Sequence, residues 1–183
     1  KLKTIGITGT KGKTTTTYMV KSILENAGYK VGLIGTIEAI IGEESIPASN
    51  TTPESYLVQE YFRKMVDAGC DCVVMEVSSQ GLMLHRTQGF VFDYGIFTNI
   101  EPDHIGPNEH KDFEEYLYCK AMLLNQSRRA YVNCDDRHLD AFMKYVTLSD
   151  GSDGHTKQVF YYGEGEKADY RIGNLKKSQN GVL

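Results

Sequence analysis

Short apolar, strand-like runs alternate with amphipathic helical stretches along most of this chain, and that alternation admits few folds. KTIGIT reads as a buried strand. Residues 14–27 then carry Met19, Val20, Ile23, Leu24 and Ala27 at helical spacing, with Gly28 as the stop. VGLIGT is a second strand. Pro53 opens a second helix, with Leu57, Val58, Phe62, Met65 and Val66 on one face and Gly69 at its end. CDCVVMEV, YGIFTN, RAYVN and QVFYYG read as further strands, and DFEEYLYCKAMLLNQ and HLDAFMKYV as further helices. Asp112 and Glu115 form an acidic variant of a capping box before the first of these. ADYRIGNLKKSQNGVL begins an antiparallel pair, with Asn180-Gly181 as its turn. The expected fold is α/β: a mostly parallel sheet covered by helices on both faces, plus a small antiparallel β element near the C-terminus. Such sheets bind ligands at the carboxyl ends of their strands.

The first strand–helix junction is GITGTKGKTTTT, residues 6–17. The usual phosphate-loop pattern is G-x-x-x-x-G-K-[ST]. With Gly12-Lys13-Thr14 as its end, the first glycine should stand at position 7, which is Ile7; it stands at Gly9. The context is still that of a phosphate loop, a buried strand followed by an amphipathic helix. Gly9 and Gly12 let backbone approach phosphate oxygens, and the helix N-terminus offers free N–H groups and a positive dipole end. Lys13 supplies a charge for the outer phosphates, and Thr14 has a hydroxyl suited to Mg²⁺. The competing reading is a glycine-rich turn capped by threonines.

Four more features bear on the chemistry, and the first two fall at the same edge. Glu76 closes the apolar strand CDCVVMEV, where a carboxylate could hold Mg²⁺ directly or through water. Asp103-His104 follows the strand tip at Thr98-Asn99, which makes His104 a candidate ligand. Lys120 lies on the apolar stripe of Phe113, Leu117, Ala121 and Leu124. It either snorkels to water or is buried, and a buried amine loses its proton more easily and can add CO₂ to become a carbamate. Asn50-Thr51-Thr52-Pro53 precedes a helix, with Thr52 as expected N-cap. That segment, Ser78-Ser79-Gln80 and His85-Arg86 are polar stretches able to grip an anionic, hydroxyl-rich substrate.

Composition narrows the field. The 183 residues carry a net charge of −4, which argues against non-specific nucleic-acid binding. The sequence has no uninterrupted apolar run of membrane-spanning length, and no signal peptide is expected from it. Cys70 and Cys72 fall inside an apolar run and read as reduced core residues, which fits a cytoplasmic protein. The chain opens directly on a strand and ends just past a turn signal, as expected of one domain of a longer protein.

Together these motifs resemble the central, ATP-binding domain of the Mur ligases. GTKGKTT is similar to that family's G-T-x-G-K-T-T, whose glycine spacing departs from the strict pattern in the same way. NTTP, MEVSSQGL, HR, FTN, DH and YLYCKAMLL follow in the family's order over about residues 5–135. NTTP with EVSS-x-G-L…HR resembles the MurE type, which adds a diamino acid (L-lysine or meso-diaminopimelate) to UDP-N-acetylmuramoyl-L-alanyl-D-glutamate. The resemblance implies residues 1–183 as a central domain between two others, in a cytoplasmic, monomeric parent. It implies ATP phosphates held by Gly9, Thr10, Lys11, Gly12, Lys13, Thr14 and Thr15. It implies one Mg²⁺ on Thr14 and Glu76, and a second on His104 and carbamylated Lys120. Asn50, Thr51, Thr52, Ser78 and Arg86 would contact the UDP-muramoyl peptide. Leu84 replaces a glutamine common in MurE enzymes, and DHIGPNEH replaces the commoner D-H-L-D-Y-H-G.

Folylpolyglutamate synthases share the loop and the lysine chemistry and are the alternative within the same superfamily. A catalytically silent binding module would be favoured by loss of Lys13, Glu76 or His104, and all three are present. A generic NTPase accounts for the loop but not for a lysine in an apolar stripe.

Overall fold

The computed structural model describes residues 1–147, 158–171, 173, 177–178 and 181–182. The order of elements is β1 (Lys3–Thr8), α1 (Lys13–Asn26), β2 (Val31–Ile34), β3 (Glu38–Ile41), β4 (Glu44–Pro47), α2 (Ser55–Asp67), β5 (Cys72–Glu76) and α3 (Ser79–Met83). Then come β6 (Phe92–Phe97), α4 (Phe113–Asn125), β7 (Ser127–Asn133), α5 (Leu139–Met143), β8 (Gln158–Gly163), β9 (Tyr170–Arg171), β10 (Lys177–Ser178) and β11 (Gly181–Val182).

Nine strands form one sheet in the order β4-β3-β2-β5-β1-β6-β7-β8-β9. From β2 to β9 every neighbouring pair is parallel, while β3 pairs antiparallel with β2 and β4 antiparallel with β3. β1 lies between β5 and β6, with connections leaving in both directions, so the loop after β1 opens at a topological switch point.

Two helix layers follow from the alternation of side chains along these strands. On one face Val73, Met75 and Phe92 pack with Val58 and Met65 of α2 and Leu123 of α4, while Ala130 and Val132 pack with Leu117, Ala121 and Phe142. On the other, Ile5, Val31, Cys72 and Val74 meet Val20 and Leu24 of α1. Cys70, Cys72 and Cys119 are buried thiols, as an apolar setting makes them.

Several expectations are corrected. Met19 and Ile23 are exposed, because α1 turns only Val20, Leu24 and the buried Thr17 toward the sheet. The hairpin of β3 and β4 was not anticipated. Tyr170–Arg171 pairs parallel to β8, so the antiparallel element is confined to β10 with β11. Asn180 of the expected turn lies outside the described residues. Asp112 caps α4 as expected, accepting from the Glu115 N–H at 2.8 Å, but Glu115 reaches back to the Lys111 N–H.

α5 is short and packs through Leu139 and Phe142, the latter stacking on Phe97 with ring centroids 3.9 Å apart, both rings fully buried. Phe142→Ala should lower unfolding stability by about 3–5 kcal/mol in a denaturant titration. A loss under about 1 kcal/mol, the size usual for a surface change, would mean that α5 is not part of the cooperative core.

Candidate active site

The chain leaves β1 through Gly9, where a Cβ would clash with the Thr98 hydroxyl. It enters α1 through Gly12, whose φ of 79° is left-handed. Asn99, at the tip of β6, clasps the loop from outside. Its carbonyl oxygen accepts the Thr10 N–H, its Oδ1 accepts the Lys11 N–H, and its Nδ2 donates to the Lys11 carbonyl. The Thr10 hydroxyl is also committed, to Tyr116 and the backbone of Glu101. Thr10 and Lys11 thus shape the loop. Among the described residues no hydrogen bond uses the N–H groups of Gly12, Lys13, Thr14 or Thr15, and these stand at the helix start where an anion would bind.

Glu76 ends β5 beside the loop and is completely buried. Its carboxylate accepts from Thr14 Oγ1 at 3.0 Å, from the Thr36 N–H at 3.0 Å and from Thr36 Oγ1 at 3.0 Å. Thr14 Oγ1 and Glu76 Oε2 are two adjacent hard oxygens. That donor set fits Mg²⁺, which takes few protein ligands and completes its shell with water and phosphate. Among the described residues no three His, Cys, Asp or Glu side chains converge as a ready cage.

Lys120 does not snorkel. Its side chain is 1% exposed, its amine donates to the Gly9 carbonyl at 2.8 Å, and it lies 4.6 Å from the centre of the Tyr116 ring. Lys13 Nζ donates to that same carbonyl at 2.9 Å and to Thr10 O at 3.2 Å. Two amines therefore meet at one oxygen. Burial, helped by the charge of Lys13, drives the Lys120 amine well below its ordinary value. Burial also lowers Lys13, partly offset by Glu76 and Asp103.

His104 is half exposed, with a left-handed φ of 54°. Its Nδ1 is 3.0 Å from Glu109 Oε1. His110 is buried, with Nε2 2.9 Å from the Ser79 hydroxyl, and burial lowers its pKa.

A cleft of about 200 Å³ gathers Lys13 and His104 with Asn50, Thr51, Thr52, Ser78 and Arg86. All the residues expected to touch a substrate thus face the loop lysine. Their hydroxyls are not equally free. Thr52 does not cap α2: that helix starts at Ser55, and its N-cap is Glu54, without a side-chain cap bond. Thr52 is buried instead, accepting the Ser78 N–H at 2.9 Å and lying 3.1 Å from Glu76 O, so it braces the end of β5. Ser78 caps α3 by accepting the Gly81 N–H at 3.0 Å. Arg86 pairs with Glu54 at 2.6 Å and donates to Thr52 O, leaving its buried Nε without a partner among the described residues.

Sequence reasoning missed Thr36, Asn99 as a clasp, and Glu109. A threonine closing the apolar strand VGLIGT at the same edge as Glu76 was the available signal for Thr36. Nothing in the sequence pointed to Glu109.

Residues 7–183 match the family model described as Mur ligase middle domain. The chain belongs to that family. It is 49% identical over 182 residues to UDP-N-acetylmuramoyl-L-alanyl-D-glutamate–2,6-diaminopimelate ligase 1 of Clostridium acetobutylicum, an alignment covering 100% of this chain and 36% of that protein. A solved structure of a ligase of the same name, without the numeral, superposes with a TM-score of 0.84 at 27% identity, over 99% of this chain and 36% of the other. Mycobacterium tuberculosis folylpolyglutamate synthase complexed with ADP shares the fold at 15% identity and a TM-score of 0.65, over 100% of this chain and 46% of the other. The chain spans about a third of the length of the diaminopimelate ligases it matches.

The lowered Lys120 pKa gives a signed prediction. Between its folded value and the ordinary 10.5, the unfolded chain binds a proton that the folded chain lacks, so stability rises with pH over that window. The unfolding free energy of the wild type minus that of Lys120→Met should climb with pH and level off near 10.5. A flat difference would show that the folded amine keeps its proton.

Proposed function

We propose that the protein containing this chain is an ATP-dependent ligase that joins 2,6-diaminopimelate to UDP-N-acetylmuramoyl-L-alanyl-D-glutamate, in the cytoplasmic assembly of peptidoglycan precursors. One observation carries the reading: the residues suited to a hydroxyl-rich, anionic peptide share a cleft with the lysine of a phosphate loop. The names of the relatives supply the substrate and the amino acid.

In this reading the nucleotide phosphates lie on the free N–H groups from Gly12 to Thr15. Lys13 leaves the carbonyls of Gly9 and Thr10 for the outer phosphates, exchanging two neutral acceptors for an anion. The γ-carboxylate of the D-glutamate attacks the γ-phosphorus, the bond to the β-phosphate oxygen breaks, and acyl phosphate and ADP result. The free amine of diaminopimelate attacks the acyl carbon, loses a proton, and phosphate departs with its bonding electrons as the amide forms. Phosphoryl transfer between anions depends on positioning and charge neutralisation, and the residues here provide both.

Thr14 and Glu76 would hold one Mg²⁺. His104 would hold a second together with Lys120, once the Lys120 amine has added CO₂ and lost a proton to become a carbamate. Support for that step is the burial of the amine and its lowered pKa. Bound Mg²⁺ would supply positive charge to the phosphate oxygens.

The full-length protein should release phosphate only when ATP, the UDP-muramoyl dipeptide and diaminopimelate are all present. Release with L-lysine in its place would change the amino acid. Release with a folate and glutamate, but not with the muramoyl peptide, would sink the reading. Lys13→Ala should lower kcat by about 10²–10³-fold, the loss typical of one preorganised charge donor. The 183-residue chain alone should show no ligase turnover, because the proposed activity needs the rest of a protein the length of its relatives.

A further inference from the structure

The segment from Asp103 to His110 is where this sequence departs from the commoner family pattern, and it folds into a closed turn. The His110 N–H donates to His104 O at 3.0 Å, the Gly106 N–H to His110 O at 3.0 Å, and the Glu109 N–H to Gly106 O at 3.1 Å. Its far end is anchored by buried His110, whose ring nitrogen meets the Ser79 hydroxyl. The closure holds His104 at its left-handed φ of 54°, a conformation a histidine adopts only when its surroundings enforce it.

The same closure folds the Glu109 carboxylate back onto the histidine whose backbone starts the turn, with Oε1 3.0 Å from Nδ1. An ionised carboxylate only accepts, so Nδ1 must carry the proton. The lone pair is then left on Nε2, whose nearest carboxylate oxygen, on Asp103, is 3.8 Å away and outside hydrogen-bond reach. Both His104 and Glu109 line the cleft with Lys13.

We propose that Glu109 is a positioning residue, fixing the tautomer and ring orientation of His104 so that Nε2 is presented to a divalent cation. The proposal rests on the reading of His104 as a metal ligand. Histidine ligands commonly donate their other ring N–H to a carboxylate, which sets the ring and raises its basicity. Here the carboxylate comes from the same turn as the ligand, five residues on, so one loop carries both.

The test uses Mn²⁺ with ADP on the full-length protein, read by electron paramagnetic resonance rather than by activity. Binding titrations give affinity, and electron spin-echo modulation reports a nitrogen bound to the metal. Wild type should show nitrogen modulation, and His104→Ala should abolish it. Glu109→Ala should weaken Mn²⁺ at that site by about 10- to 100-fold and diminish the modulation. Glu109→Gln, which keeps an acceptor oxygen on Nδ1, should retain most of both. Glu109 is half exposed, and an unchanged melting temperature shows that the turn has survived the substitution. Modulation lost in His104→Ala but unaltered in both Glu109 variants would overturn the positioning role alone. Weaker binding in Glu109→Ala with full modulation at saturation would also overturn it, pointing to a charge effect. Modulation that persists in His104→Ala would remove His104 as a ligand, and the role of Glu109 with it.

Discussion

A completely buried carboxylate at the end of β5 organises this edge of the sheet. An ionised group so far from water is tolerated only when its lone pairs are met by donors. Glu76 obtains them from two other segments: the first turn of α1 through Thr14, and the end of β2 through Thr36. Thr52 adds a third, bracing the backbone of residues 76 and 78 from the connection before α2. None of these contacts is local in sequence: the Glu76 side chain places the loop against the end of β2, and the Thr52 hydroxyl ties the connection before α2 to the end of β5.

The loop beside it carries positive charge under strain. Lys13 and Lys120 both donate to the Gly9 carbonyl, and Lys120 is too buried for water to share its charge. Two outcomes relieve the crowding. Lys13 can follow an incoming phosphate outward, or Lys120 can shed its proton. The proposed chemistry uses both. An arrangement built only for structural stability would have no reason to place a second lysine there, since an apolar side chain of similar volume would fill the stripe of α4 without the desolvation cost.

Much of this was legible in the sequence because it depends on local pattern. A buried strand, a glycine-rich junction and an amphipathic helix sit next to one another in the chain, and Glu76 and Lys120 betray themselves as charges in apolar runs. The failures are non-local. Thr52 has the sequence position of a cap, but tertiary bonding to residues 76 and 78 took its hydroxyl and left Glu54 at the helix start. Met19 and Ile23 fit a helical stripe, yet the sheet meets α1 along a narrower line. β3 and β4 are short, and only part of their pattern is buried, so the alternation that would reveal them is weak. Glu109 is assigned by the closure of a turn that no spacing rule anticipates.

The hydroxyl chemistry around Glu76 also fixes a direction. Thr36 has a single hydroxyl proton, and the carboxylate can only accept, so that proton is given to Glu76. Thr51 Oγ1, 3.1 Å from Thr36 Oγ1, must then be the donor of that pair. A line of oriented hydrogen bonds consequently runs from Thr51 in the cleft through Thr36 to Glu76, where Thr14 joins it from the phosphate loop. With its proton spent, Thr51 can offer a ligand only lone pairs. It is thus suited to meet an N–H or O–H of a ligand and unsuited to a carboxylate. The anionic groups of a substrate are left to Lys13, at another wall of the same cleft. For the proposed peptide, these hydrogen bonds limit which of its groups can face Thr51 and which must face Lys13.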